Sequence, residues 1–166
     1  MIMKKLTFAV VILMLIASLF GCGANKKLVF EDIRYFSFTY QVGNYADGFK
    51  NFTLKYADGR YTASVKPPHV ADENRISIEV DEAFVRELEA ILTEHSVNKW
   101  NGFNKANKNV LDGNMFTLSI TCGNTDEYDE NKRLSAHGYE KWPDGYKEVR
   151  DAVEDLFMKF VPVAGE

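Results

Sequence analysis

The chain has 166 residues, with 20 basic and 24 acidic side chains, a formal net charge of -4 and 13% aromatic residues. This length and an ordinary globular composition point to one folded domain and exclude a disordered chain. The acidic balance leaves no electrostatic footprint for nucleic acid. Two cysteines, Cys22 and Cys122, cannot build a disulfide framework or a cysteine-based zinc site once one of them is modified.

Lys4 and Lys5 precede Leu6 to Phe20, a run of 15 residues without a charge. That run has the length of a signal-peptide core and is short for a spanning helix. It ends in Leu19-Phe20-Gly21-Cys22. This resembles the lipobox of bacterial lipoproteins: Leu at the third position before the cysteine, a small residue directly before it, then the acceptor thiol. The resemblance covers residues 1–22. It implies cleavage after Gly21, a diacylglyceryl group on the Cys22 thiol and a palmitate-type lipid anchor. It also implies residence on the extracytoplasmic face of the cell membrane. The competing reading is an uncleaved anchor helix, since the apolar stretch counted through Ala24 reaches 19 residues.

Cleavage before Cys22 would leave 145 residues and, by removing Lys4 and Lys5, 18 basic against 24 acidic side chains. The expected layout is a signal peptide over 1–21, a lipidated N-terminus and short tether over 22–30, and a single α+β domain over 31–162. Lys26 and Lys27 lie beside the lipid, where they touch anionic head groups or belong to a solvated linker.

Ile33 to Val42 alternates Phe36, Phe38, Tyr40 and Val42 with Tyr35, Ser37, Thr39 and Gln41, the pattern of a half-buried strand. Phe52, Leu54 and Tyr56 alternate with Thr53 and Lys55, and Tyr61, Ala63 and Val65 with Thr62 and Ser64. Asp58-Gly59 between these two runs is a strong hairpin signal. Ile76, Ile78 and Val80 give another alternating run. Asp81 then reads as a helix N-cap. Phe84, Val85, Leu88, Ile91 and Leu92 fall on one helical stripe, and Glu82 and Arg86 pair on the opposite side, so the spacing predicts a helix over about Glu82 to His95.

Ser96 to Asn114 is a long connection whose Trp100, Phe103, Val110 and Leu111 are expected to pack on the body. Met115 to Cys122 and Arg133 to Gly138 read as strands flanking an acidic loop. Trp142-Pro143-Asp144-Gly145 opens a last helix, with Tyr146, Val149, Val153, Leu156, Phe157 and Phe160 as its buried stripe and Pro162 as its stop. The order predicts an α+β fold: an antiparallel sheet of about five to six strands with two helices on one face. The arrangement over residues 31–160 is loosely similar to that of small bacterial lipoproteins to which no activity attaches.

Candidate chemistry is sparse. Cys122 is in phase with Phe116, Leu118 and Ile120 and reads as a small core residue. His69, His95 and His137 show no metal-ligand spacing. Asp126, Glu127, Asp129 and Glu130 read as a solvated loop, without the order of a calcium-binding loop. No cofactor, metal or catalytic residue is assigned. The outward phase of the two late strands carries Thr117, Ser119 and Thr121 beside Arg133, Ser135 and His137, with Tyr139 and Trp142 following. These residues form either a plain wet face or a binding face. The expectation is a monomeric, membrane-tethered binding module for an unknown protein or small-molecule ligand of the envelope, not for nucleic acid. The alternative is an envelope hydrolase using Ser135 and His137.

Overall fold

The computed structural model describes residues 28–43, 45–123 and 129–161. The signal peptide, Cys22, Lys26, Lys27, Asp126, Glu127 and Pro162 lie outside the described residues. One mixed sheet of seven strands carries the fold. In chain order these are β1 (Ile33–Gln41), β2 (Phe49–Ala57), β3 (Arg60–Lys66), β4 (Ile76–Val80), β5 (Asn104–Ala106), β6 (Met115–Cys122) and β7 (Arg133–Tyr139). Helix α1 spans Glu82–Glu94 and α2 spans Tyr146–Met158. Across the sheet the order is β4-β3-β2-β1-β6-β7-β5, antiparallel except for β5 against β7.

The sequence reading of five to six strands thus falls short of the seven found. The seventh strand, β5, lies in the long connection, is three residues long, and exposes all three of them. With no inward side chain it has no apolar alternation to read. It exists because the sheet edge at β7 offers backbone partners: the Gly102 N–H donates to Ser135 O (2.9 Å) and the His137 N–H to Phe103 O (2.7 Å).

Local signals act as their chemistry requires. Asp58 and Gly59 both have positive φ, as the tight turn between β2 and β3 demands. The Asp81 carboxylate accepts from the Phe84 N–H (3.0 Å) at the start of α1, and Arg86 reaches Glu82 at 3.2 Å. Gly145, with φ of 74°, precedes α2.

Both helices cover one side of the sheet. Phe36, Phe38, Phe52, Leu54, Phe116, Leu118 and Ile120 from the strands meet Leu88 and Leu92 of α1 and Val153, Leu156 and Phe157 of α2 in one buried core. Phe157 stacks on Phe36 with centroids 5.9 Å apart and lies 5.3 Å from Phe52. At the sheet–helix boundary Glu154 accepts from the Tyr40 hydroxyl and the Lys50 ammonium. Burial pushes the Glu154 carboxyl up, but the bonds from Lys50 and Tyr40 outweigh it and the net shift is downward.

Two expectations need correction. Leu28 and Phe30, read as tether, are buried in the core, and the Leu28 carbonyl accepts from Asn98 Nδ2 at 3.3 Å. The domain therefore includes residue 28. Leu111, expected to pack on the body, is 93% exposed, because the 107–114 segment is held by backbone and Tyr139 hydrogen bonds rather than by burial. Among the described residues no helix is long and apolar enough to cross a membrane.

Candidate functional site: the uncovered sheet face

The pleat sends the second set of strand side chains to the side that neither helix covers. Strands β6 and β7 pair there with Thr117 opposite His137, Ser119 opposite Ser135 and Thr121 opposite Arg133. The six residues singled out in these strands therefore stand on one face, in three rows of two. Strand β1 adds Thr39, Ser37 and Tyr35 to the same three rows.

The rows continue. Ser37 is opposite Thr53, Thr53 opposite Ser64, and Ser64 opposite Ser77. One line of hydroxyls thus crosses six strands: Ser77, Ser64, Thr53, Ser37, Ser119 and Ser135. At the usual strand spacing it is about 24 Å long. Its two halves differ. Thr53 and Ser64 are buried, with Arg75 Nη1 lying 3.5 Å from Thr53 Oγ1 and Ser64 hydrogen-bonded to Ser77 at 2.8 Å. Ser119 and Ser135 are exposed and Ser37 is half-buried. The accessible part of the line lies on β1, β6 and β7.

Charge is partitioned between the two sides of the sheet. Lys55, Arg60, Lys66 and Arg133 project from the strands on this face, with Glu79 as the one acidic strand residue there among the described residues. Helices α1 and α2 carry eight acidic and three basic side chains. Some of the basic residues have acidic partners: Lys66 meets Asp72 at 2.7 Å and Arg60 meets Glu79 at 3.4 Å. One row runs Glu79, Thr62, Lys55, Tyr35, Thr121 and Arg133 across the sheet, so a carboxylate closes it on the β4 side. Gln41, in the outward phase of β1 beyond Thr39, is 7% exposed, and its two buried amide atoms have no hydrogen-bond partner among the described residues.

Ser135 and His137 sit two residues apart on this face, and no hydrogen bond joins their side chains among the described residues. The Ser135 N–H donates to Asn101 Oδ1 (3.2 Å). No described carboxylate hydrogen-bonds to the imidazole. A nucleophile–base–orienter arrangement is not assembled.

Tyr139 and Trp142 do not form a common rim. The Tyr139 hydroxyl accepts from the Gly113 N–H (2.7 Å) and is directed at the Leu111 carbonyl (2.7 Å), so it pins the 107–114 segment. Trp142 lies on the helix side, stacked on Tyr146 at 4.6 Å and 5.7 Å from Phe116. The backbone turns around the sheet edge between them, through Glu140 at a φ of 48°. Trp142 instead lines a cleft of about 460 Å³ together with Phe103, Lys99, Lys105, Glu94 and Asp144.

Cys122 is buried, and burial pushes its thiol up to about 11, against activation as a nucleophile. Among the described residues no group of three His, Cys, Asp or Glu side chains is placed to hold a metal. Asp129 caps a short turn by accepting from the Asn131 N–H (2.9 Å).

The sequence alternation already carried the hydroxyls of β1, β2 and β3. What it lacked was the register that aligns them with Ser119 and Ser135, and the position of β1 between β2 and β6. No family model and no curated protein sequence matches the chain.

Proposed function

We propose that the chain is an exported, lipid-anchored binding module of the cell envelope that engages its ligand through the uncovered sheet face. One observation carries the reading: among the described residues both helices lie on one side of a seven-stranded sheet, and the other side, accessible on β1, β6 and β7, is rich in hydroxyls with Glu79 as its one acidic strand residue. Lys and Glu would serve a merely wet surface as well. Short hydroxyl side chains lose little entropy when they form directional hydrogen bonds, which suits recognition.

The anchor rests on the Leu19-Phe20-Gly21-Cys22 motif. Burial of Leu28 supports a close tether, since the five residues from Gly23 to Lys27 reach at most roughly 20 Å. Two acyl chains give stable anchoring where one is marginal. Cys22→Ala should abolish incorporation of a fatty-acid analogue during metabolic labelling, and equal labelling of mutant and wild type refutes the anchor. For the binding face, a photo-crosslinking residue placed at Ser119 in living cells should capture a ligand that the same residue at Glu148, on α2, does not. Identical products, or none, from the two positions refute the role of the face.

A further inference from the structure

We propose that the cleft beside Trp142, on the helix side of the sheet, binds a neutral saccharide, with one sugar ring laid on the indole and its hydroxyls held by the charged side chains that line the cleft. The site is separate from the open sheet face, and the proposal does not depend on the role of that face.

Three observations carry it. First, the cleft presents a fixed aromatic platform. The Trp142 ring packs on Tyr146 with centroids 4.6 Å apart, and the residue is still 39% exposed. The turn that follows it is pinned by buried Trp100, whose indole N–H donates to the Asp144 carbonyl at 3.1 Å. Both tryptophans of the chain therefore meet at this one cleft, together with Phe103. A sugar ring has an apolar C–H face of slight positive charge, which complements the negative face of an indole. A platform fixed before binding loses little entropy when it is used. Second, Glu94, Asp144, Lys99 and Lys105 line the same cleft, and none of the four has an ion pair among the described residues. Lys105 lies over the Phe103 ring, at 5.2 Å from its centroid. Carboxylates only accept and ammonium groups only donate, whereas a hydroxyl does both. Sugar hydroxyls can thus serve all four, through hydrogen bonds of the stronger, charge-assisted kind.

Third, the charges that line the cleft cancel, two basic side chains against two acidic ones, so the cleft exerts little net pull on an ion. A zwitterion would engage one group of each sign and leave the indole without a complement. The volume of about 460 Å³ falls within the range of roughly 300–1,000 Å³ usual for small-molecule sites.

The test uses the full-length chain in micelles of a detergent without a sugar head group, read by tryptophan fluorescence and isothermal titration. The neutral probes are cellohexaose, maltohexaose, mannohexaose and chitohexaose. The charged probes are galacturonate oligomers and tetraglycine. At least one neutral saccharide should bind and shift the tryptophan emission, since both indoles line the cleft. Its affinity should change by less than about twofold when salt is raised about fourfold, as expected where no net charge is neutralised. Trp142→Ala should weaken that binding about tenfold or more, and Trp142→Phe, which keeps a ring, should restore most of it. Lys105→Ala, at an exposed residue of β5, should weaken it about fivefold with an unchanged Tm, and it carries the test if Trp142→Ala does not fold. Ser119→Ala on the open face should leave saccharide binding unchanged. The proposal is overturned if none of the four saccharides binds, if the galacturonate oligomers or tetraglycine bind as tightly, or if folded Trp142→Ala or Lys105→Ala binds normally. Loss of saccharide binding in Ser119→Ala moves the site to the open face and overturns it as well.

Discussion

Gly138 is the position where the packing leaves least room for change. It lies in the interior of β7, opposite Phe116 across the pair with β6. A Cβ built there would stand 2.2 Å from the Lys141 carbonyl oxygen and 2.4 Å from Phe116 Cε1, where ordinary contact begins at 3.4 Å. Neither neighbour yields easily. The oxygen belongs to the backbone that turns toward Pro143. The ring is fully buried and in contact with Trp100, Phe103, Trp142 and Tyr146. Overpacking of this kind costs about 1–3 kcal/mol, and two overlaps of about 1 Å put Gly138→Ala at the upper end. The smaller unfolded-state entropy of alanine returns roughly 0.5–1 kcal/mol, for a net loss of about 2–2.5 kcal/mol. For a domain of this size that is a fall in Tm of roughly 8–10 °C. Gly59 provides the control. Its φ is +79° and a Cβ there meets nothing within 4 Å, so Gly59→Ala carries only the left-handed backbone penalty of about 1 kcal/mol. Thermal and urea unfolding of both variants against wild type measures the difference. A Gly138→Ala protein as stable as Gly59→Ala would refute the packing argument.

Two further outcomes follow from groups beneath the helices. The Glu154 carboxyl is shifted down in the folded chain, so its contribution is present at neutral pH and is lost as pH falls through its folded value. Glu154→Gln should cost about 1–2 kcal/mol at pH 7, and the gap to wild type should close as pH falls below the ordinary glutamate range in urea titrations; a constant gap contradicts the ionised pairing with Lys50 and Tyr40. Cys122, buried and pushed up to about 11, should resist a thiol reagent at pH 8 in the native chain and react once unfolded, whereas reaction at the rate of an open thiol places it at the surface.

What the sequence by itself determined is local. Alternation marked β1, β2, β3, β4, β6 and β7, because a strand with one buried face must repeat every two residues. The Asp81 cap, the apolar stripe through Leu88 and Leu92, and the Asp58-Gly59 turn defined α1 and the β2–β3 hairpin for reasons confined to a few neighbouring residues. The outward phase of β6 and β7 was readable in the same way, down to Thr117, Ser119, Thr121, Arg133, Ser135 and His137.

The tertiary structure decided everything that depends on which segments meet. The short edge strand β5 has no inward residue, so only the free backbone groups of β7 reveal it. Leu28 and Phe30 belong to the one buried core, and the Leu28 carbonyl is held by Asn98, seventy residues away in the chain. Tyr139 and Trp142, three apart in sequence, were sent to opposite sides of the sheet by the turn at Glu140. The hydroxyl line needed β1 to lie between β2 and β6 in one register. Strand order and register are set by the joint burial of Phe36, Phe38, Phe52, Phe116 and Phe157, and no local pattern encodes that sum.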